Sequence, residues 1–253
     1  MKLLPPTGDP HSVLARRNAF AKVLAALVLT FLLLASVDPV TPAVALAIEL
    51  ALVPLAGISY ATLLRRSVPL LIGSVGVFVF TLVFSTAPDF ADRLSAALGL
   101  TLRLFALAVP GLLVVASTDP TDLADSLIKY ARVPARFAIG ALAAFRLVTM
   151  LGEEWETLTL ARRARGIDAG RNPLARLRLF GSVTFALLVS AIRRGTRLAT
   201  AMDARGFDST RPRTMARPPR FVLADAAVIV LGAAIAALAL TVSVLTGTFR
   251  PLL

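Results

Sequence analysis

The chain has 253 residues, 57% of them hydrophobic, with 27 Lys+Arg against 15 Asp+Glu and a formal net charge of +12. A mean hydropathy of +0.79, set against the roughly 45–50% apolar content of ordinary domains, excludes a water-soluble globule and implies an all-α integral membrane protein. With no Cys and a single His there is no disulfide, thiol nucleophile or cysteine metal site; neither G-x-x-x-x-G-K-[ST] nor G-x-S-x-G occurs, and 7% aromatic residues offer little stacking surface for nucleic acid.

Residues 1–20 read as a polar tail with Arg16 and Arg17, in which His11 is a solvated residue rather than a ligand. The uncharged stretch 23–37 reads as the first membrane helix, with Lys22 snorkelling at its start. A secretory signal has a similar basic start and apolar middle, but no small-x-small site follows. Asp38-Pro39 and Thr41-Pro42 mark a turn. The second span, 43–60, contains Glu49 and is closed by Arg65 and Arg66. The third covers 68–87, and Pro88, Asp89, Asp92 and Arg93 form a short loop. The fourth, 94–116, carries Arg103. From 117 to 220 the apolar runs become short and Arg-studded, as at 137–150 and 179–192, lengths more typical of buried amphipathic helices than of spans. A fifth span covers 221–248, with Asp225 at its interfacial start. The chain thus divides into a tail and four spans (1–116), a basic coupling region (117–220) and a C-terminal span (221–253).

If the spans alternate, the tail, the loop after span two and the basic region share one side and hold 24 of the 27 Lys/Arg. The bias of basic residues toward the cytoplasm then places the N-terminus and the basic region inside and the C-terminus outside. Ionisable groups within spans are costly and often functional. Glu49 and Arg103 are candidates for a mutual pair or, less simply, a relay. Gly73 and Gly76 read as close-packing positions, and Arg193, Arg194 and Arg197 as contacts for lipid headgroups or solvent.

The basic region holds two long helices of roughly 32 residues each, about 48 Å at 1.5 Å per residue. One opens at Pro134 and stops at Gly166; the other opens at Asn172-Pro173 and stops at Gly206, with Pro at the first turn and Gly after the last. A shorter helix, 120–131, precedes them, capped by Thr118 or Asp119. The two ends nearly repeat: Ala164-Arg165-Gly166-Ile167-Asp168 and Ala204-Arg205-Gly206-Phe207-Asp208. They are either two similar C-caps or a paired docking element, in which a small Ala admits close approach, Gly ends the helix and Arg reaches carboxylates on a partner.

Two Ala-Arg-Gly motifs ending long cytoplasmic helices resemble the transmembrane T component of energy-coupling factor transporters, the family that includes cobalt/nickel and biotin versions. Ser117-Thr118-Asp119-Pro120 with Leu123 and Leu127, Ala144-Phe145-Arg146, Glu153-Glu154 and Ala201-Met202-Asp203 are also similar to that family. Asn18-Ala19-Phe20-Ala21-Lys22 resembles its Asn/Asp-Pro-x-x-Lys entry to span one, with Ala19 in place of Pro. The resemblance implies a non-catalytic subunit in a prokaryotic cell membrane whose two long helices cross. Ala164, Arg165 and Gly166, and Ala204, Arg205 and Gly206, would dock on two ABC-type ATPase subunits, which bind the ATP and Mg²⁺; this chain itself would hold no cofactor and no metal. The apolar faces around Phe137, Leu142, Phe145, Phe185 and Leu188 would hold a separate substrate-binding membrane subunit, the S component, for vitamin or transition-metal uptake. Two other readings compete: a stand-alone secondary transporter or channel, which lacks inverted repeats and broken helices, and a membrane enzyme acting on an anionic substrate, which lacks a nucleophile, a metal site and a base cluster.

Overall fold

The computed structural model describes residues 9, 12–85, 89–168, 170, 172–207, 218–249 and 251. Among them the protein is all-α: α1 (Ala19–Leu33), α2 (Val40–Leu52) continuing as a 3₁₀ turn (Val53–Ala56), α3 (Tyr60–Phe84), α4 (Phe90–Ser117), α5 (Pro120–Tyr130), α6 (Ala135–Ala164), α7 (Pro173–Ala204) and α8 (Leu223–Leu245). The chain forms two compact units, one of residues 5–126 with 219–253 and one spanning 127–218.

In the first unit α1 and α8 run parallel. Asn18, which caps α1 by accepting the Phe20 N–H, lies against the start of α8, and Asp38, just beyond α1, lies against Ser243 near its end. The core between α1, α2, α4 and α8 is built largely from small residues, with Ala45, Ala106, Ala236 and Ala239 fully buried beside Leu29, Leu33 and Ile235. Small side chains let helix backbones approach closely where lipid removes the hydrophobic drive for association. Gly99 and Gly232 mark close approaches of helix to neighbouring backbone. A methyl on Gly232 would stand 2.8 Å from the Ala25 carbonyl oxygen, and one on Gly99 3.0 Å from Pro39. Gly73 and Gly76, expected in this role, have nothing within 4 Å of such a methyl; they lie on exposed faces of α3 that no other part of the unit covers.

Several boundaries move from their sequence-based positions. Span one lies four residues earlier than 23–37, because the chain turns at Leu34 and Asp38 accepts the Thr41 N–H at 2.7 Å at the entry to α2. Span two ends at Ala56, where Gly57 adopts φ +66°. Arg65 and Arg66 therefore lie in the first turns of α3, which Ser59 caps, rather than in a loop. Pro134 is the N-cap of α6, not its first residue. Asp119, not Thr118, caps α5 by accepting the Thr121 N–H at 2.7 Å. Residues 86–88, His11 and Asp208 lie outside the described residues. Five helices are long and apolar enough to cross a bilayer by length and composition: α3, α4, α6, α7 and α8. The number equals the expected number of spans, but the members differ. The helices of spans one and two are shorter, and the two long helices of the basic region qualify in their place.

Asp38 ties the α1–α2 turn to α8. Burial pushes its carboxyl up, but the Thr41 N–H and the hydroxyls of Ser243 and Thr41 all donate to it and together hold it below the usual carboxylate value.

Candidate functional site

The two Ala-Arg-Gly ends close with the same pair of backbone hydrogen bonds. Arg165 (φ −89°, ψ 7°) and Arg205 (φ −90°, ψ 10°) are the C-caps of α6 and α7. Gly166 and Gly206 follow at φ +76° and +68°, the left-handed region where a side chain is strained. The Gly166 N–H donates to the Arg163 carbonyl (2.9 Å) and that of Ile167 to Arg162 (3.0 Å); the Gly206 N–H donates to Asp203 (2.9 Å) and that of Phe207 to Met202 (3.1 Å). This pair of bonds is the Schellman closure, which satisfies the last carbonyls and stops the helix. Ala164, Arg165, Ala204 and Arg205 are all exposed. The sequence repeat is therefore a structural repeat. The first tip precedes the N-terminus of α7 by a short turn and the second ends that helix, 32 residues on, or about 48 Å along its axis.

α7 opens where the sequence says it should. The Asn172 side chain accepts the N–H groups of Leu174 and Ala175, and Pro173 supplies the first turn. α6 and α7 meet along 154–162 and 179–194. Trp155 packs on Phe180 with ring centroids 5.2 Å apart. Glu154 accepts the Ser190 hydroxyl at 3.1 Å and pairs with Arg194 at 2.8 Å. Arg194 is thus a link between the helices, while Arg193 and Arg197 are exposed. Away from this contact the apolar residues face outward: Phe137 is 61%, Phe145 42%, Phe185 67% and Leu188 53% exposed, with Leu142 half-buried. Within their own unit these faces are uncovered, as expected of surfaces that meet lipid or another membrane protein.

Three polar residues form a node that sequence reasoning undervalued. Asp225 is 1% exposed; its carboxylate accepts the N–H of Asn18 at 2.9 Å and of Val222 at 2.8 Å. It is a buried clamp rather than an interfacial residue. The Asn18 amide donates to the Arg220 carbonyl at 3.0 Å. Lys22 does not snorkel. It is 3% exposed and its ammonium donates to the carbonyls of Ser117 (2.8 Å) and Ala15 (3.3 Å) and to the Thr118 hydroxyl (3.4 Å). The signal was present in the sequence as a Lys one turn past an Asn cap, in an otherwise uncharged helix. Its target, a helix-terminal carbonyl 95 residues away, has no local signature.

The Glu49–Arg103 pair is not formed. Arg103 donates to the carbonyls of Leu34 (3.2 Å) and Leu33 (3.5 Å) at the end of α1, whereas both Glu49 carboxyl oxygens are buried without a partner among the described residues. Among the described residues no group of His, Asp and Glu is arranged to hold a metal.

Residues 11–216 match the family model described as cobalt transport protein, CbiQ. The energy-coupling factor transporter transmembrane protein EcfT of Exiguobacterium sibiricum is 33% identical over 168 residues, 63% of each chain. The EcfT of Ruminiclostridium cellulolyticum is 30% identical over 142 residues, 53% of each, so the chain spans little more than half the length of these relatives. The EcfT of Streptococcus equi subsp. equi is 24% identical over 243 residues, 87% of this chain and 89% of the relative. The family match over residues 11–216 and the similarity to these relatives place this multi-pass prokaryotic membrane protein in the family of transmembrane T components of energy-coupling factor transporters.

Proposed function

We propose that the chain is the non-catalytic coupling subunit of an ATP-driven importer of vitamins or transition metals. In this reading Arg165 and Arg205 each dock in an acidic groove on one of two ABC-type ATPase subunits, and those subunits hold ATP and Mg²⁺. α6 and α7 carry the closure of the ATPase pair to a substrate-binding membrane subunit seated on the faces around Phe137, Leu142, Phe145, Phe185 and Leu188. The observation that carries the reading is that the same Ala-Arg-Gly triplet ends both helices with the same cap geometry and with Ala and Arg exposed. Two equal tips at the two ends of one long helix suit a partner that presents the same groove twice.

The energetics favour a paired device. A single exposed Arg–carboxylate pair contributes only about 0.2–1 kcal/mol, and a bidentate pair shielded in a groove contributes more. Two tips on one rigid helix pair make the second docking intramolecular, which multiplies affinity without new contacts. With 24 of 27 Lys/Arg on one side under alternating spans, the tips belong in the cytoplasm with the N-terminus, and the C-terminus outside.

The test is photocrosslinking. A benzophenone side chain at Ile167 and, separately, at Phe207, one residue beyond each tip, is expected to capture the same class of ATP-binding protein from native membranes. Capture of membrane proteins or lipid alone at both positions would overturn the docking assignment.

A further inference from the structure

The membrane unit holds an apolar cavity of about 170 Å³, open on one side, between α1, α2, α4 and α8, which coupling through α6 and α7 does not use. Ala26, Leu29, Leu52, Leu113 and Leu231 line it, and one carboxyl reaches it from α2, that of Glu49. Glu49 is 3% exposed and neither of its oxygens has a hydrogen-bond partner among the described residues. Two cations also line it: the Lys22 ammonium is spent on Ala15, Ser117 and Thr118, and neither it nor the half-buried Arg17 bonds Glu49 among the described residues. A buried carboxyl without a protein partner is expensive in any apolar setting, and a polar group entering the cavity would relieve that cost. Val13 and Leu231 at the rim are 56% and 45% exposed, so entry needs no unfolding.

Size and chemistry narrow the occupant. Apolar cavities of about 150 Å³ admit a six-carbon ring, so this one suits an apolar body of roughly six to nine non-hydrogen atoms. An ionised carboxylate offers only acceptors, and a protonated one offers a donor and an acceptor. A hydroxyl, which both donates and accepts, satisfies either form; an ammonium satisfies only the first and brings a second charge to desolvate. We propose that the cavity is a binding site for a small aliphatic alcohol-type amphiphile, its chain among Ala26, Leu29 and Leu113 and its hydroxyl on Glu49. Such an occupant sits where α1 and α8 approach most closely and braces the four-helix contact.

The experiment uses the full chain in lipid nanodiscs and a hexanol bearing an alkyl diazirine. Photolysis followed by peptide mass spectrometry is expected to give saturable labelling on the peptide containing Glu49. Unlabelled 1-hexanol should suppress it at about tenfold lower concentration than hexane, the margin of one hydrogen bond to a buried partner. Ala26→Phe, which fills the cavity and leaves Glu49 in place, should cut the labelling several-fold. The proposal is overturned by labelling that does not saturate, by adducts confined to outward residues such as Ile72 and Phe80, by equal suppression with hexane, or by no adduct near Glu49, which would leave the cavity to water. If Ala26→Phe does not fold, the competition on the unmodified chain decides alone.

Discussion

Replacing Gly232 by Ala tests the packing of the membrane unit where α8 lies against the α1 backbone. The new methyl would lie 2.8 Å from the Ala25 carbonyl oxygen and 3.4 Å from its carbon and Cα. The obstacle is backbone on both sides, so no flexible side chain can yield and α1 or α8 must shift. Overpacking of this kind costs about 1–3 kcal/mol. The same change also gains about 1 kcal/mol, because Ala is a better helix former than Gly. Gly73→Ala and Gly76→Ala isolate that gain, since nothing lies within 4 Å of either methyl. The difference between Gly232→Ala and either control therefore reads the clash alone. Thermal unfolding of the purified chain in one lipid or detergent should show the controls at or above the parent midpoint and Gly232→Ala below it. A Gly232→Ala midpoint raised as far as the controls would refute the close contact of α1 with α8.

Three further outcomes follow from named contacts. Lys22→Met keeps the side-chain length but leaves the buried Ser117 carbonyl without its donor, a loss of about 1–3 kcal/mol; it should lower the unfolding midpoint and speed amide exchange at the α4–α5 junction. Asp38 has a carboxyl held below its ordinary value, so its contribution is complete above the unfolded value near 4 and is lost as pH falls through the folded value; the stability advantage of the parent over Asp38→Asn should shrink as pH drops from about 5 to 2, and a gap independent of pH would contradict the hydrogen-bond account. Gly166→Ala and Gly206→Ala place a side chain at φ +76° and +68°, at about 1–2 kcal/mol per site; each should weaken capture of ATPases in pull-down assays while leaving the unfolding of the first unit unchanged.

The sequence was most legible where a rule is local. Uncharged runs marked α3 and α8, and the Asn172-Pro173 and Gly166/Gly206 signals placed the ends of α6 and α7 within a residue. The Ala-Arg-Gly repeat gave the candidate tips because capping is written in five consecutive residues. Reading failed where the partner is distant in the chain. Nothing near Lys22 says that its ammonium meets Ser117, and nothing near Asp225 says that it holds the Asn18 N–H. Likewise Gly73 and Gly76 look like packing glycines, whereas Gly99 and Gly232 do that work, since which helix face meets a neighbour depends on the whole bundle. Arg103 and Glu49 had opposite charges and suitable depth, but Arg103 is taken by the free carbonyls that end α1.

The most direct measurement of the coupling role is co-purification and uptake with Arg165→Glu and Arg205→Glu, singly and together. The native complex should retain its ATPases with either single change, weakened several-fold. It should lose both ATPases and all ATP-driven uptake with the double change, while the chain remains in the membrane with its normal unfolding midpoint. ATPases still bound at parental levels, with uptake intact in the double variant, would contradict the assignment of these two arginines as the docking tips.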